Sequence, residues 1–182
     1  MLFNLFGEKD DDADSHLFTD RAYVSTAAKM KACVDLASKQ PNYLFICWFA
    51  DTATKFKEFF IQQELDEQQV IEVRQLHAAK LTDKIPVFVE HYPLHKKETD
   101  LIKNWQTEKI VVFSALDEPL FKHFGSDKLI PLMKMMGMKE DEVIEHSMVT
   151  KSIIKGQKKI AQLVTLEQSA ASQEEWMRKN VK

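Results

Sequence analysis

Two histidines four positions apart, His91 and His95, followed by Lys96 and Lys97, are the first residues whose types and spacing could do chemistry. On one helical face such a pair can hold zinc, but Pro93 lies between them and suits a helix start, so the rings do not share a face and no metal is expected. Ser114, Asp117 and His123 have the residue types of a hydrolytic triad, yet no glycine-flanked nucleophile elbow surrounds Ser114. Gly7, Gly125, Gly137 and Gly156 are scattered, so neither a phosphate-binding loop nor a dinucleotide turn can be drawn. Phosphoryl transfer needs a phosphate cradle, a metal ligand and cationic stabilisation, and the chain does not supply these as a set. What remains is a candidate anion or ligand edge of Asp51, Thr52, Glu90, His91 and Lys96, because ligands of open α/β sheets gather where strands end. A solvated basic helix start is the competing reading of His91, His95, Lys96 and Lys97.

The elements that must position these residues are legible as alternating strands and helices. Residues 43–49 are a continuous apolar run of aromatic and β-branched side chains, the pattern of a strand covered on both faces. Residues 70–73, 87–89 and 110–113 read as further strands, with Pro86 at the start of the third, where a missing N–H costs least. A helix is expected from Thr19 or Asp20 to just before Pro41. Others are expected after Asp51 or Thr52, with Phe56, Phe59 and Phe60 inward, and from Leu94 to Trp105. After Glu118 the chain reads as helical, with Gly125 and Gly137 as helix ends and a last long helix from Val143. The fold class is therefore α/β: a three-layer, mostly parallel sheet with helices on both faces and a long C-terminal helical extension.

The 182 residues fit one domain, and 25 basic against 28 acidic residues leave a formal charge of -3, too weak a field to favour nucleic acid or an anionic membrane. Cys33 and Cys47 have no partner at metal or redox spacing and read as reduced thiols of a cytoplasmic protein. The start, Met1-Leu2-Phe3-Asn4-Leu5-Phe6, lacks the positive flank and cleavage site of a secretory signal, and Asp10, Asp11, Asp12 and Asp14 after it read as a solvated acidic segment.

Collinear motifs carry a family resemblance. Phe124-Gly125-Ser126-Asp127-Lys128 leads to Leu132-Met133, Met136-Gly137-Met138, Ile144-Glu145-His146 and Gln157-Lys158-Lys159. In this order they resemble SecA, the motor ATPase of protein secretion. The likeness extends back to about Phe18, over its second RecA-like (helicase C-terminal-type) nucleotide-binding domain and the helix after it. The resemblance implies a RecA-like fold and also marks what is missing. Of the family's Thr-Glu-Arg triplet only Glu90 survives, with His91 in place of arginine, and the arginine-rich catalytic helix is replaced by residues 95–108, which hold no arginine and no glycine. The nucleotide-sensing turn is absent between Lys80 and Ile85.

These readings together predict an acidic segment over 1–17, a degenerate RecA-like domain over 18–142 and a C-terminal helix over 143–182. They predict a non-catalytic protein-binding or regulatory module without a cofactor, the alternative being a small-ligand or nucleotide site at the sheet edge. Self-association is expected through Ile153, Ile160, Val164 and Trp176 of the last helix, with the Sec machinery as a partner by resemblance only. Trp176 is either docked or meant for a partner. The methionines 133, 135, 136 and 138 are expected to fill core, the alternative being an adaptable partner surface.

Overall fold

A computed structural model describes residues 16–105 and 109–181; the apolar start and the aspartates from Asp10 to Asp14 lie outside the described residues. Its centre is a five-stranded sheet in the order β1-β5-β4-β2-β3, with every pairing parallel. The strands are β1 (Phe18–Tyr23), β2 (Tyr43–Cys47), β3 (Val70–Glu72), β4 (Ile85–Phe88) and β5 (Ile110–Ala115). Between and after them run α1 (Thr26–Lys39), α2 (Ala50–Gln62), α3 (Ala78–Leu81), α4 (His95–Ile102), α5 (Pro119–His123), α6 (Ser126–Met135), α7 (Ser147–Leu163) and α8 (Gln173–Asn180). This is the three-layer α/β architecture expected of a RecA-like domain.

Strand alternation sorts the core into two layers. Phe45 and Cys47 of β2 pack with Cys33 and Val34 of α1 and Phe56 and Phe60 of α2. Leu44 and Ile46 of the same strand join Phe88, Val112 and Ile102 of α4 on the opposite face. Burial on both faces is why β2 reads as an unbroken apolar run. Pro86 pairs with Leu44 but precedes Val87, the first residue of β4 matched to β5, so its absent N–H falls before that ladder begins.

The structure corrects the reading in three places. The stretch from Phe18 expected to open a helix is the edge strand β1, and α1 starts later, capped by Ser25, whose hydroxyl accepts from the Ala28 N–H at 3.2 Å. The C-terminal extension is two helices: α7 ends at Leu163, and α8 returns with Trp176 fully buried beside Phe49, Leu120 and Ile160. On α6 and at its C-cap, Met135 and Met136 are 85% and 79% exposed, with Leu129 and Leu132 also on the surface, and Ser126 at the start of α6 is its buried residue. The unpaired side of β1 meets one antiparallel bridge, Ala22 to Ile144.

Candidate functional site

The chain turns back repeatedly at the C-terminal ends of the strands, where helix N-termini collect backbone N–H groups that have no partner within their own helix. Asp117, two residues past β5, reaches the first residue of α1: its carboxylate accepts the Thr26 N–H at 2.8 and 3.0 Å and the Thr26 hydroxyl at 2.7 Å. Glu90, past β4, does the same before α2. It accepts from the N–H groups of Trp48 and Phe49 at 3.0 and 3.1 Å and from the Thr52 hydroxyl at 2.8 Å. The side-chain oxygen of Gln173 accepts from Leu120 N–H at 2.8 Å in the first turn of α5. At α1 and α2 a positive helix end that could have met a phosphate thus meets a carboxylate of the chain itself.

Behind these caps lies Lys29 of α1, buried, with its ammonium on the Val89 carbonyl at 2.5 Å and on the Glu118 carboxylate. Burial alone would lower its pKa, but the charges of Glu118 and Glu90 outweigh it and hold the pKa above the usual lysine value. Burial pushes Glu90 up to about 7, against the pull of Lys29 and its hydrogen-bond donors. The neighbouring cleft is about 230 Å³ and is lined by five carboxylates and three lysines, so its field does not favour a polyanion.

A second buried group sits beside it. His91 lies between two carboxylates, with Nδ1 2.9 Å from Glu98 and Nε2 2.5 Å from Asp20. Burial opposes protonation, but Glu98 and Asp20 outweigh it and raise the His91 pKa well above the ordinary value. Glu98 is likewise opposed by burial, yet His91 and the surrounding donors bring it down to about 2. Those donors include Tyr92 N–H and the Gln157 side-chain amide, both at 2.8 Å. The imidazolium therefore ties β1, the turn after β4, α4 and α7 into one polar joint. Cys33 and Cys47 are free and buried, and burial pushes the Cys33 thiol up to about 12.

The structure divides the expected ligand edge. Asp51, Thr52 and Glu90 do meet at the small cleft. His91 faces inward to Asp20 and Glu98, and Lys96 is on the surface paired with Asp100 at 2.9 Å. His95 shares Glu98 with His91, its Nδ1 3.5 Å away. The triad types do not converge: Ser114 is buried, Asp117 is held by Thr26, and the exposed His123 packs on Phe124. Lys29, Glu118, Asp20 and Glu98 escaped the sequence reading; a lysine set among the small and apolar residues Ala27, Ala28 and Met30 was the available signal.

Three of the four residues expected to meet a partner are core. Ile153, Ile160 and Trp176 are buried and Val164 is half-buried, the last three packed around Phe49 and Leu120. Trp176 stacks edge-on against Tyr92 and donates to Glu167 at 3.2 Å. The apolar surface of this region is instead a groove between α5, α6 and α7, floored by Phe121, Phe124 and Ile153. Gly156 lets α7 approach there, since a Cβ at that position would stand 2.7 Å from the Phe124 ring.

Against curated proteins, 48 residues, 26% of the chain, are 54% identical to the protein translocase subunit SecA of Acidithiobacillus ferrooxidans. Over 50 residues, 28% of the chain, identity is 50% to the SecA proteins of Chlorobium phaeovibrioides and Pelodictyon phaeoclathratiforme. About a quarter of the chain is SecA-like. The match covers 5% of each SecA protein's own length, and no protein-family model matches the chain. Among the described residues no helix is long and apolar enough to cross a membrane.

Proposed function

We propose that this chain is a non-catalytic protein-binding module that keeps the layered scaffold of a SecA motor domain, the second RecA-like one, without its ATPase chemistry. The observation that carries the reading is the capping of α1 by Asp117, whose carboxylate takes the Thr26 N–H and hydroxyl at the helix end where a bound phosphate would sit, together with a segment, residues 95–108, that holds no arginine. Electrostatics point the same way: a triphosphate entering the small cleft would meet five acidic side chains against three lysines, one of which, Lys29, is already held by Glu118. The apolar side chains left at the surface of α6, Leu129, Leu132, Met135 and Met136, suit an adaptable protein contact, since methionine repacks at little cost. The SecA-like stretch makes the protein translocase the first partner to try, and contact with a second copy is the other arm of this reading.

Isothermal titration of the chain with ADP, ATP and inorganic phosphate tests the closed edge. The expected result is no binding tighter than about 1 mM for any of the three. A saturable micromolar heat with ATP would replace this reading by that of a nucleotide-binding domain. Light scattering on the same samples reports self-association.

A further inference from the structure

The groove between α5, α6 and α7 encloses about 580 Å³ and is lined mainly by apolar side chains. Its wall on α7 follows one helical stripe: Met148, Ser152, Lys155, Lys159 and Leu163 recur every three or four residues and are all exposed. At 1.5 Å per residue this stripe runs about 22 Å, the length of a helix of roughly fifteen residues. On α6, Leu129 lines the groove, and by spacing Leu132 and the C-cap Met136 continue its face. Leu129, Leu132 and Met148 are each more than half exposed, so large apolar side chains face water on both walls. The charge here has one sign. Lys155 and Lys159 are the charged residues of the lining, one helical turn apart, and among the described residues none of the lining side chains is acidic.

We propose that this groove docks an amphipathic helix of another protein, about four turns long, whose apolar stripe lies between α6 and α7 and whose flank carries two acidic residues one turn apart. The helical form of the partner follows from the walls, because side chains at helical repeat on both sides leave a groove into which the ridges of a third helix fit. Its acidity follows from Lys155 and Lys159, whose spacing is matched by carboxylates at i and i+4 of the incoming helix. Burial of apolar side chains carries the affinity, while the exposed lysines select the partner and set its register, since surface ion pairs are individually weak. A second copy of the chain is the poorer occupant. The apolar stripe it would offer is that of α6, which carries Lys128 and Lys134 against one carboxylate, Asp127, so lysine would meet lysine. The proposal rests on the protein-binding reading above and gives that reading a surface and a class of partner.

Fluorescence anisotropy of the full chain with labelled, capped peptides of roughly fifteen residues tests it. One peptide has leucines at helical spacing and two flanking glutamates four positions apart; a second has lysines in place of the glutamates; a third is the glutamate peptide with a proline at its middle, which breaks the helix. The glutamate peptide is expected to bind saturably at about 1–50 μM, about tenfold more tightly than either control, and several-fold more weakly as salt rises. Lys155→Glu with Lys159→Glu should invert the preference between the glutamate and lysine peptides, and Leu129→Asp with Met148→Asp should weaken all binding about tenfold. The four substituted side chains are exposed, so the fold is expected to persist, and the exchange of peptides on the unaltered chain is decisive without them. Equal binding of the glutamate peptide and either control, no binding below about 1 mM, or a preference that survives Lys155→Glu with Lys159→Glu would each overturn the proposal. So would a dimer in light scattering that Leu129→Asp with Met148→Asp separates, by making another copy the occupant. Micromolar ATP binding would overturn the protein-binding reading instead, whereas peptides and nucleotides that both fail to bind would remove this surface alone.

Discussion

Asp117 grips Thr26 at both the backbone and the side chain, with its carboxylate 2.8 and 3.0 Å from the N–H and 2.7 Å from the hydroxyl, across the mouth between β5 and α1. The contact spans distant parts of the chain, so it fixes the entry angle of α1 as well as satisfying an orphan donor.

Asp117→Ala is expected to cost about 1–2 kcal/mol, the range of a lost helix cap. It also exposes the positive end of α1. Phosphate or sulfate should then raise the melting temperature of the variant more than that of the unaltered chain, which a thermal scan against anion concentration reads directly.

The buried imidazolium makes a larger prediction. His91→Ala leaves Asp20 and Glu98 facing each other without their cation, and removing one partner of a buried charge cluster costs about 3–5 kcal/mol. Adding Asp20→Asn should recover part of the loss. Urea unfolding of the single and double variants checks the coupling, and additive losses would show that the three side chains do not act as a unit.

Stability should peak in mildly acid solution. The folded-state pKa of His91 lies above its unfolded value near 6.5, so its contribution is complete below pH 6.5 and is lost as pH rises through the folded value. Glu98 is depressed from 4.5 to about 2, so its contribution is complete above pH 4.5 and is lost as pH falls toward 2. Glu90 is raised from 4.5 to about 7, which makes its ionisation a cost that grows across that interval. Together these place the maximum near pH 4.5, with a decline from there as Glu90 ionises and a further one above pH 6.5 from His91. Urea midpoints from pH 3 to 9 should show it, and Glu90→Gln should flatten the decline between pH 4.5 and 7.

Trp176→Ala is expected to cost about 3–5 kcal/mol, as for other fully buried aromatic side chains. Because α8 also caps α5 through Gln173, the loss should appear as a single cooperative transition at lower denaturant. A separate early phase in near-ultraviolet circular dichroism would instead mean that α8 unfolds independently of the sheet.

Met135→Asp and Met136→Asp should leave stability within about 0.5 kcal/mol, since exposed side chains away from special contacts carry little of it. Equilibrium unfolding measures this, and a cost above about 1 kcal/mol would place both methionines in intramolecular packing.

How much of this was legible follows from what each segment needs. Strands β2 to β5 announce themselves because residues such as Phe45, Ile46, Val87 and Val112 are apolar on both faces of a covered sheet. β1 does not, since Asp20 is buried only by virtue of His91, a residue far along the chain. Asp51, Thr52 and Glu90 could be placed at the sheet edge from strand ends alone. The roles of Lys29 and Asp117 could not, because they depend on which helix begins above which strand. Apolar periodicity says that Met135 and Met136 share a helix with Leu132; it does not say whether another element covers that face.

The place of β1 also bears on the order in which the molecule assembles. Its parallel partner is β5, matched from Phe18 with Ile110 to Tyr23 with Ala115. A chain synthesised from its N-terminus therefore makes this strand first and must wait for about ninety more residues before its neighbour exists, the kind of distant pairing that slows folding. The centre of the sheet can form meanwhile from β2, β3 and β4, so closure of β1 on β5 is the late step, and with it comes the burial of Asp20 against His91.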